Sequence, residues 1–274
     1  MTDTVAETAP AEKPAKKEDS FPVFLLKLFL VVVIFRSFIF APFYIPSESM
    51  LPRLLNGDYL LLAKWPYGYS SRSLPFGVGL LPEKRVLASM PDRGDVVVFK
   101  NPPLGKDDWI KRVIGLPGDT VQMKAGQVWL NGKPIPKQAM APFEVPVSPN
   151  THCLSTSFEA KNAEGIDVCA YPRFKETLPE GKSYEVLDLF NKPSDDTPPY
   201  IVPEGHLFLM GDNRDNSEDS RFPAEVGGGI GFVPVDNVIG RATVMMWSTD
   251  GGAEWIKPWT WFTAARWSRI GGTF

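Results

Sequence analysis

Of 274 residues, 22% are charged and 43% hydrophobic, and the basic residues are scattered through a chain of net charge −3. That balance belongs to a globular protein and excludes a disordered one, and it gives a nucleic-acid partner no electrostatic footing. With 27 prolines and 23 glycines the chain suits short strands joined by turns rather than a helical bundle, and its two histidines and two cysteines cannot build a repeated zinc array.

Residues 1–20 are polar, rich in Ala, Lys, Glu and Thr, and read as a disordered tail. From 21 to 45 the chain is apolar except at Lys27, Arg36 and Ser37. Asp19 and Ser20 are candidate helix caps, and Pro22 suits a first turn. As a helix these 25 residues reach about 37 Å, enough to span a bilayer. Lys27 and Arg36 can each snorkel toward their own interface, leaving 28–35 for the middle. Lys13, Lys16 and Lys17 ahead of the span favour a cytoplasmic N-terminus. No clean Ala-x-Ala follows it, so the segment reads as an uncleaved anchor. Everything beyond residue 45 then lies in an oxidising compartment, where Cys153 and Cys169 either form a disulfide or remain two separate buried thiols.

Strands are predicted at 59–63, 96–100, 110–114, 120–123, 128–130, 207–210 and 238–247, where short apolar runs stand between turn formers. Asn131-Gly132 between apolar neighbours signals a tight hairpin. The expected fold is mostly β: an N-terminal transmembrane helix, then a largely antiparallel core formed by 46–123 and 204–274. Residues 124–203, with a Pro-rich stretch and both cysteines, are expected to form an inserted β-rich subdomain. Near the C-terminus, Trp255, Trp259, Trp261, Phe262 and Trp267 stand with Lys257, Arg266 and Arg269. That mixture suits a bilayer interface and equally suits aromatic packing on the sheet.

Two histidines disfavour a Ser-His-Asp triad. His152, beside Cys153, and His206, opening an apolar strand, both suit ordinary structural or surface roles. Nucleophilic catalysis then needs a serine with another base, and lysine is the usual substitute. In Ile45-Pro-Ser-Glu-Ser-Met-Leu-Pro52 the prolines discourage helix, so Ser47 and Ser49 point to the same side of an extended stretch. Alone, such serines are ordinary turn residues. In Trp109-Ile-Lys-Arg-Val-Ile114, a strand puts Trp109, Lys111 and Val113 on one face, where a buried lysine would lose charge readily. Arg112 is flanked as well by Ile110 and Ile114, so periodicity leaves the buried face open. The stretch Gly211-Asp-Asn-Arg-Asp-Asn-Ser-Glu-Asp-Ser-Arg221 fails as a calcium loop, with Arg214 and Pro223 at ligand positions. It can supply hydroxyl and amide partners to a buried amine, or a structural Asp–Arg pair.

Behind an apolar anchor, the segments 45–58, 93–102, 109–121, 202–221 and 240–248, in this order, resemble the bacterial type I signal peptidases, membrane-bound serine–lysine proteases. The resemblance implies Ser49 as nucleophile, Lys111 as general base, and Ser47 with the Ser49 backbone N–H as oxyanion donors. Ser217 falls where a hydroxyl orients the lysine, and Asp212, Arg214, Asp219 and Arg221 fall where residues brace the site. Ile45, Met50, Leu54 and Ile110 match residues that line small pockets for substrate side chains. Trp109 replaces a familiar tyrosine, a change that bears on pocket size and side-chain preference.

The implied activity is removal of N-terminal signal peptides from exported preproteins, cutting after Ala-x-Ala. The implied setting is the bacterial inner (cytoplasmic) membrane, with the catalytic domain extracytoplasmic. Signal peptides and the lipid bilayer are the expected partners, with no cofactor, metal or nucleic acid. A rival of another class, a membrane-anchored adaptor that binds export substrates uncut, is disfavoured by the joint presence of Ser49 and Lys111.

Overall fold

The structure, a computed structural model, describes residues 20–71, 82, 85–254 and 256–274. The tail through Asp19, with Lys13, Lys16 and Lys17, lies outside the described residues, as does Trp255.

The first element is a helix, Phe21–Phe38, with mean hydropathy 2.2. Pro22 occupies its first turn, and Ser20 stands extended at the N-cap without a side-chain capping bond. Eighteen residues rise about 27 Å, long and apolar enough to cross a membrane. Hydropathy alone carried the helix to residue 45; instead Phe40–Tyr44 form strand β1, paired antiparallel with β2, Asp58–Ala63. Pro42 accounts for the difference. Its ring would clash with the carbonyl of Phe38 in a continuing helix, whereas an edge strand tolerates it, and β1 is an edge of its sheet.

The main sheet has seven strands, all paired antiparallel. Its order is β1, β2, Val238–Ser248, β3 (Val96–Lys100), β4 (Asp108–Gly115), His206–Met210 and Val233–Pro234. Both faces are covered. Val96, Val98 and Ile110 pack on one side with Leu60, Leu62 and Met245; Val97, Phe99 and Val113 pack on the other with Leu207 and Leu209. Strands buried on two sides read as continuous apolar runs, the pattern that made them legible. The predicted strands all exist; 96–100 is unchanged, five others are longer by one residue, and 110–114 is longer by three, as Asp108–Gly115.

The hairpin Gln127–Leu130 to Lys133–Pro134 turns through Asn131 and Gly132 at φ 51° and 77°, the left-handed pair that a two-residue turn needs. Between residues 137 and 187 lie two three-stranded sheets. One contains Phe143–Pro146, Glu159–Lys161 and Asp167–Tyr171; the other contains Lys137–Ala139, Arg173–Thr177 and Ser183–Leu187. At the C-terminus, Trp259, Phe262 and Trp267 are exposed, while Trp267 also packs edge-on against Trp247 at 5.6 Å. Packing on the sheet thus holds for Trp267.

Cys153 and Cys169 are bridged, with Cα atoms 5.3 Å apart. Cys169 is buried in a cluster with Tyr171, Leu187, Leu51 and Leu55, the last two from the segment that follows Ser49. A loop of 16 residues closed by a disulfide stabilises by roughly 3 kcal/mol. The double variant Cys153→Ala/Cys169→Ala is expected to unfold at correspondingly lower urea concentration. An unchanged midpoint would show that the bridge adds nothing.

Candidate active site

The chain leaves β1 at Tyr44 and returns in β2 at Asp58, and the intervening loop carries both serines. Its base is closed by Ile45 N–H donating to the Asp58 carbonyl at 2.8 Å and Gly57 N–H donating to the Ile45 carbonyl at 3.0 Å. Gly57 has φ +92°, and a Cβ there would stand 2.2 Å from the Thr249 carbonyl, so a side chain is excluded on two counts. The fully buried Asp58 carboxylate accepts from Ser248 Oγ at 2.6 Å and pairs with Arg269 at 2.6 Å, tying the C-terminal segment to the loop base. Ser47 and Ser49 do not lie in an extended stretch as expected; the backbone bends at 47–48 and turns at 49–50. Their hydroxyls are nevertheless adjacent, 3.4 Å apart.

Lys111 lies on β4, in mid-sheet, and reaches the loop: its Nζ stands 2.8 Å from Ser49 Oγ. Lys111 is only 3% exposed and Ser49 8%. Trp109, on the same strand face, places its ring centroid 5.3 Å from the amine. Burial lowers the Lys111 pKa from 10.5 to about 8, against opposing pulls from Asp219, Asp212 and Glu218. The alternative left open by periodicity is resolved by burying both faces. Arg112 points away from Lys111 and forms a two-bond pair with Asp212, Nε to Oδ1 at 2.7 Å and Nη2 to Oδ2 at 2.6 Å.

The loop after the His206–Met210 strand is held by three buried ion pairs. Besides Asp212–Arg112, Arg214 binds Glu176 through two bonds of 2.7 and 2.5 Å, and Arg221 binds Asp219 at 2.9 Å. Burial alone would raise the Asp219 pKa, but Arg221 and the Gly211 and Arg221 backbone N–H groups hold it below the usual carboxylate range. A Cβ on Gly211 would meet Ser217 Oγ at 2.2 Å and the Ser49 carbonyl at 2.6 Å, so only glycine lets this loop lie against the nucleophile segment. Ser217 departs from expectation. Its hydroxyl is buried over Gly211 with no hydrogen-bond partner, and the bond to Lys111 implied by the resemblance is not formed. Lys111 Nζ instead donates to Ser49 Oγ.

Ile45, Met50, Leu54 and Ile110 are buried together in one apolar cluster next to the serine loop. Trp109 is not among them. It lies on the opposite face of β4 and packs with Tyr67, Val97 and Phe99. His152 is exposed and His206 only bonds a carbonyl of its own turn. Sequence reasoning missed Glu176, the partner of Arg214. A lone Glu in Arg173-Phe-Lys-Glu-Thr177 reads as a solvent-facing strand residue, and nothing local marks it as buried.

The site is thus a lysine amine sealed against a serine hydroxyl in an antiparallel β frame, in a chain whose first helix is of membrane-spanning length. The family described as signal peptidase, peptidase S26, matches residues 20–247. Signal peptidase I of Rickettsia typhi is 35% identical over 252 residues, covering 89% of this chain and 84% of that protein. Signal peptidase I of Rickettsia prowazekii is 36% identical over 247 residues, covering 87% and 83%. A crystal structure of a signal peptidase I from Enterococcus faecalis aligns with 57% of this chain and 98% of its own, at 25% identity and a TM-score of 0.30. The chain belongs to the bacterial type I signal peptidases of this family, serine proteases that remove signal peptides from preproteins.

Proposed function

We propose that the protein cleaves signal peptides with Ser49 as nucleophile and Lys111 as general base, anchored in the membrane by its N-terminal helix. The observation that carries this reading is the 2.8 Å contact between the buried Lys111 amine and the Ser49 hydroxyl. An unperturbed lysine, pKa about 10.4, is only about 0.4% neutral at pH 8. With the pKa at about 8, half of the enzyme carries free base at that pH, a gain of roughly a hundredfold.

The neutral amine removes the Ser49 proton as Oγ attacks the scissile carbonyl carbon. Ser47 Oγ and the Ser49 N–H receive the charge developing on the carbonyl oxygen; each such donor is worth about 2.7–4 kcal/mol. The protonated amine returns its proton to the departing amine of the mature chain, leaving an acyl-enzyme. Water, deprotonated by Lys111, then releases the signal peptide. Asp212, Arg214, Asp219 and Arg221 keep the loop against Ser49, with Ser217 beside it. Ile45, Met50, Leu54 and Ile110, buried together beside the serine loop, are the residues to which this reading assigns the small substrate pockets, with cleavage after Ala-x-Ala. Trp109, on the same face of β4 as Lys111, shields the amine.

The helix exposes Phe21, Phe24, Phe29 and Val31 to its surroundings, and among its residues only Ser37 is buried. A lipid environment would cover that surface. With lysines preceding the span, the N-terminus is cytoplasmic and the β core, with its inserted subdomain, extracytoplasmic. Anchoring holds the site at the bilayer surface where a signal peptide's cut site emerges, raising its effective concentration.

The test is the pH dependence of preprotein cleavage by the full-length protein. A lysine whose pKa is lowered must lose its proton to act, so the rate rises with pH, about tenfold per unit well below the pKa. It levels above about 8. A rate flat from about pH 6 to 9 would contradict a lysine base.

A further inference from the structure

Asn213 is fully buried between Asp212 and Arg214 in the loop that packs on the nucleophile segment. Its backbone N–H donates to the Ser49 carbonyl at 3.0 Å, and its side-chain Nδ2 donates to the Glu48 carbonyl at 3.1 Å. Leu51 N–H donates to the same Glu48 oxygen at 3.1 Å, so both lone pairs of that carbonyl are engaged. The amide orientation is dictated by chemistry, since a carbonyl oxygen can face only the NH2 end. On its other side the loop is held in register by Leu187, whose N–H donates to the Asp212 carbonyl at 2.9 Å and whose carbonyl accepts from Arg214 N–H at 2.9 Å.

The Glu48 carbonyl and the Ser49 N–H belong to one peptide unit. Such a unit is planar and trans, so its C=O and N–H point in opposite directions, and fixing one fixes the other. The Ser49 N–H donates to no described residue. It is therefore free to meet a substrate oxygen. Meanwhile the Asn213 Oδ1 is buried with no partner, a cost that a leucine of similar size would not carry. The side chain is of use through its donor.

We propose that Asn213 is a positioning residue that clamps the Glu48–Ser49 peptide unit and so aims the Ser49 N–H at the oxyanion of the tetrahedral intermediate. This rests on the Ser49–Lys111 reading above. A clamp of this kind acts on the transition state and leaves both the amine and ground-state substrate contacts alone. Loss of the donor should therefore lower kcat rather than raise KM.

The experiment compares the full-length protein with its Asn213→Leu variant, which keeps the volume and removes the donor. It measures kcat and KM on a preprotein, the pH midpoint of kcat, and the affinity of a peptide aldehyde, whose hemiacetal oxygen mimics the oxyanion. The expected result is a kcat loss of about 10- to 100-fold with KM held within about twofold. The aldehyde weakens in proportion and the pH midpoint does not move. Combined with Ser47→Ala, the two losses are expected to be non-additive, because both donors serve one oxygen. A folded Asn213→Leu variant with undiminished kcat overturns the proposal. So does a kcat loss without weaker aldehyde binding, or one that comes with a shifted pH midpoint. Asn213→Ala takes the same measurements if leucine prevents folding. Ser49→Ala and Lys111→Met, assayed alongside, separate the two readings: activity in either sinks the dyad, whereas their inactivity beside an undiminished Asn213→Leu sinks only the clamp.

Discussion

Lys111→Met is expected to reduce preprotein cleavage on the order of 10⁴-fold or more while leaving the fold intact. Methionine nearly matches the lysine in length and carries no charge, so it fills the same space against Trp109 without the desolvation cost that lowers the amine's pKa. Thermal or urea unfolding should therefore show a protein at least as stable as the parent. Loss of activity with stability kept would separate a chemical role from a structural one. A purified variant cleaving at the parental rate would end the proposed mechanism.

The largest effect on stability is expected at a residue that touches neither serine nor lysine. Glu176 and Arg214 are both almost wholly inaccessible, with side chains 1% and 2% exposed. Removing one partner strands the other charge, at a cost of about 3–5 kcal/mol. Glu176→Ala should lower stability by that amount in urea unfolding. Its activity should fall as well, because Arg214 flanks the loop that contacts the Ser49 segment. The double replacement Glu176→Leu/Arg214→Met should recover most of the stability, since an apolar pair leaves no charge unpaired. A loss below about 1 kcal/mol for Glu176→Ala would mean that water reaches the pair and that the loop is braced some other way.

How much of this was legible in the sequence depends on how local the signal was. The central strands could be read because burial on both faces leaves uninterrupted Val, Ile and Phe, as at Val96–Phe99. Asn131-Gly132 could be read because few residue pairs accept two consecutive left-handed conformations. The Ser49, Lys111 and Gly211–Arg221 motifs could be placed because their spacing and order resemble a known family, not because any one is distinctive. Three things stayed hidden. The β1 strand was masked by the helix before it, since Phe40, Phe43 and Tyr44 extend the same apolar run and only Pro42 marks the break. The choice between Lys111 and Arg112 could not be made from alternation, because alternation assumes one wet face and β4 has none. The strands between residues 137 and 187 gave little pattern: Glu159–Lys161 is exposed throughout, and Glu176 is buried by a partner 38 residues away.

The measurement closest to the central claim is the ionisation of Lys111 itself, followed by the 13Cε chemical shift of that lysine as pH is raised in the full-length protein. The account predicts a midpoint near 8, set by burial of the amine. A midpoint near about 10.4, the value of a lysine in water, would mean that the amine stays charged at working pH and cannot take the serine's proton.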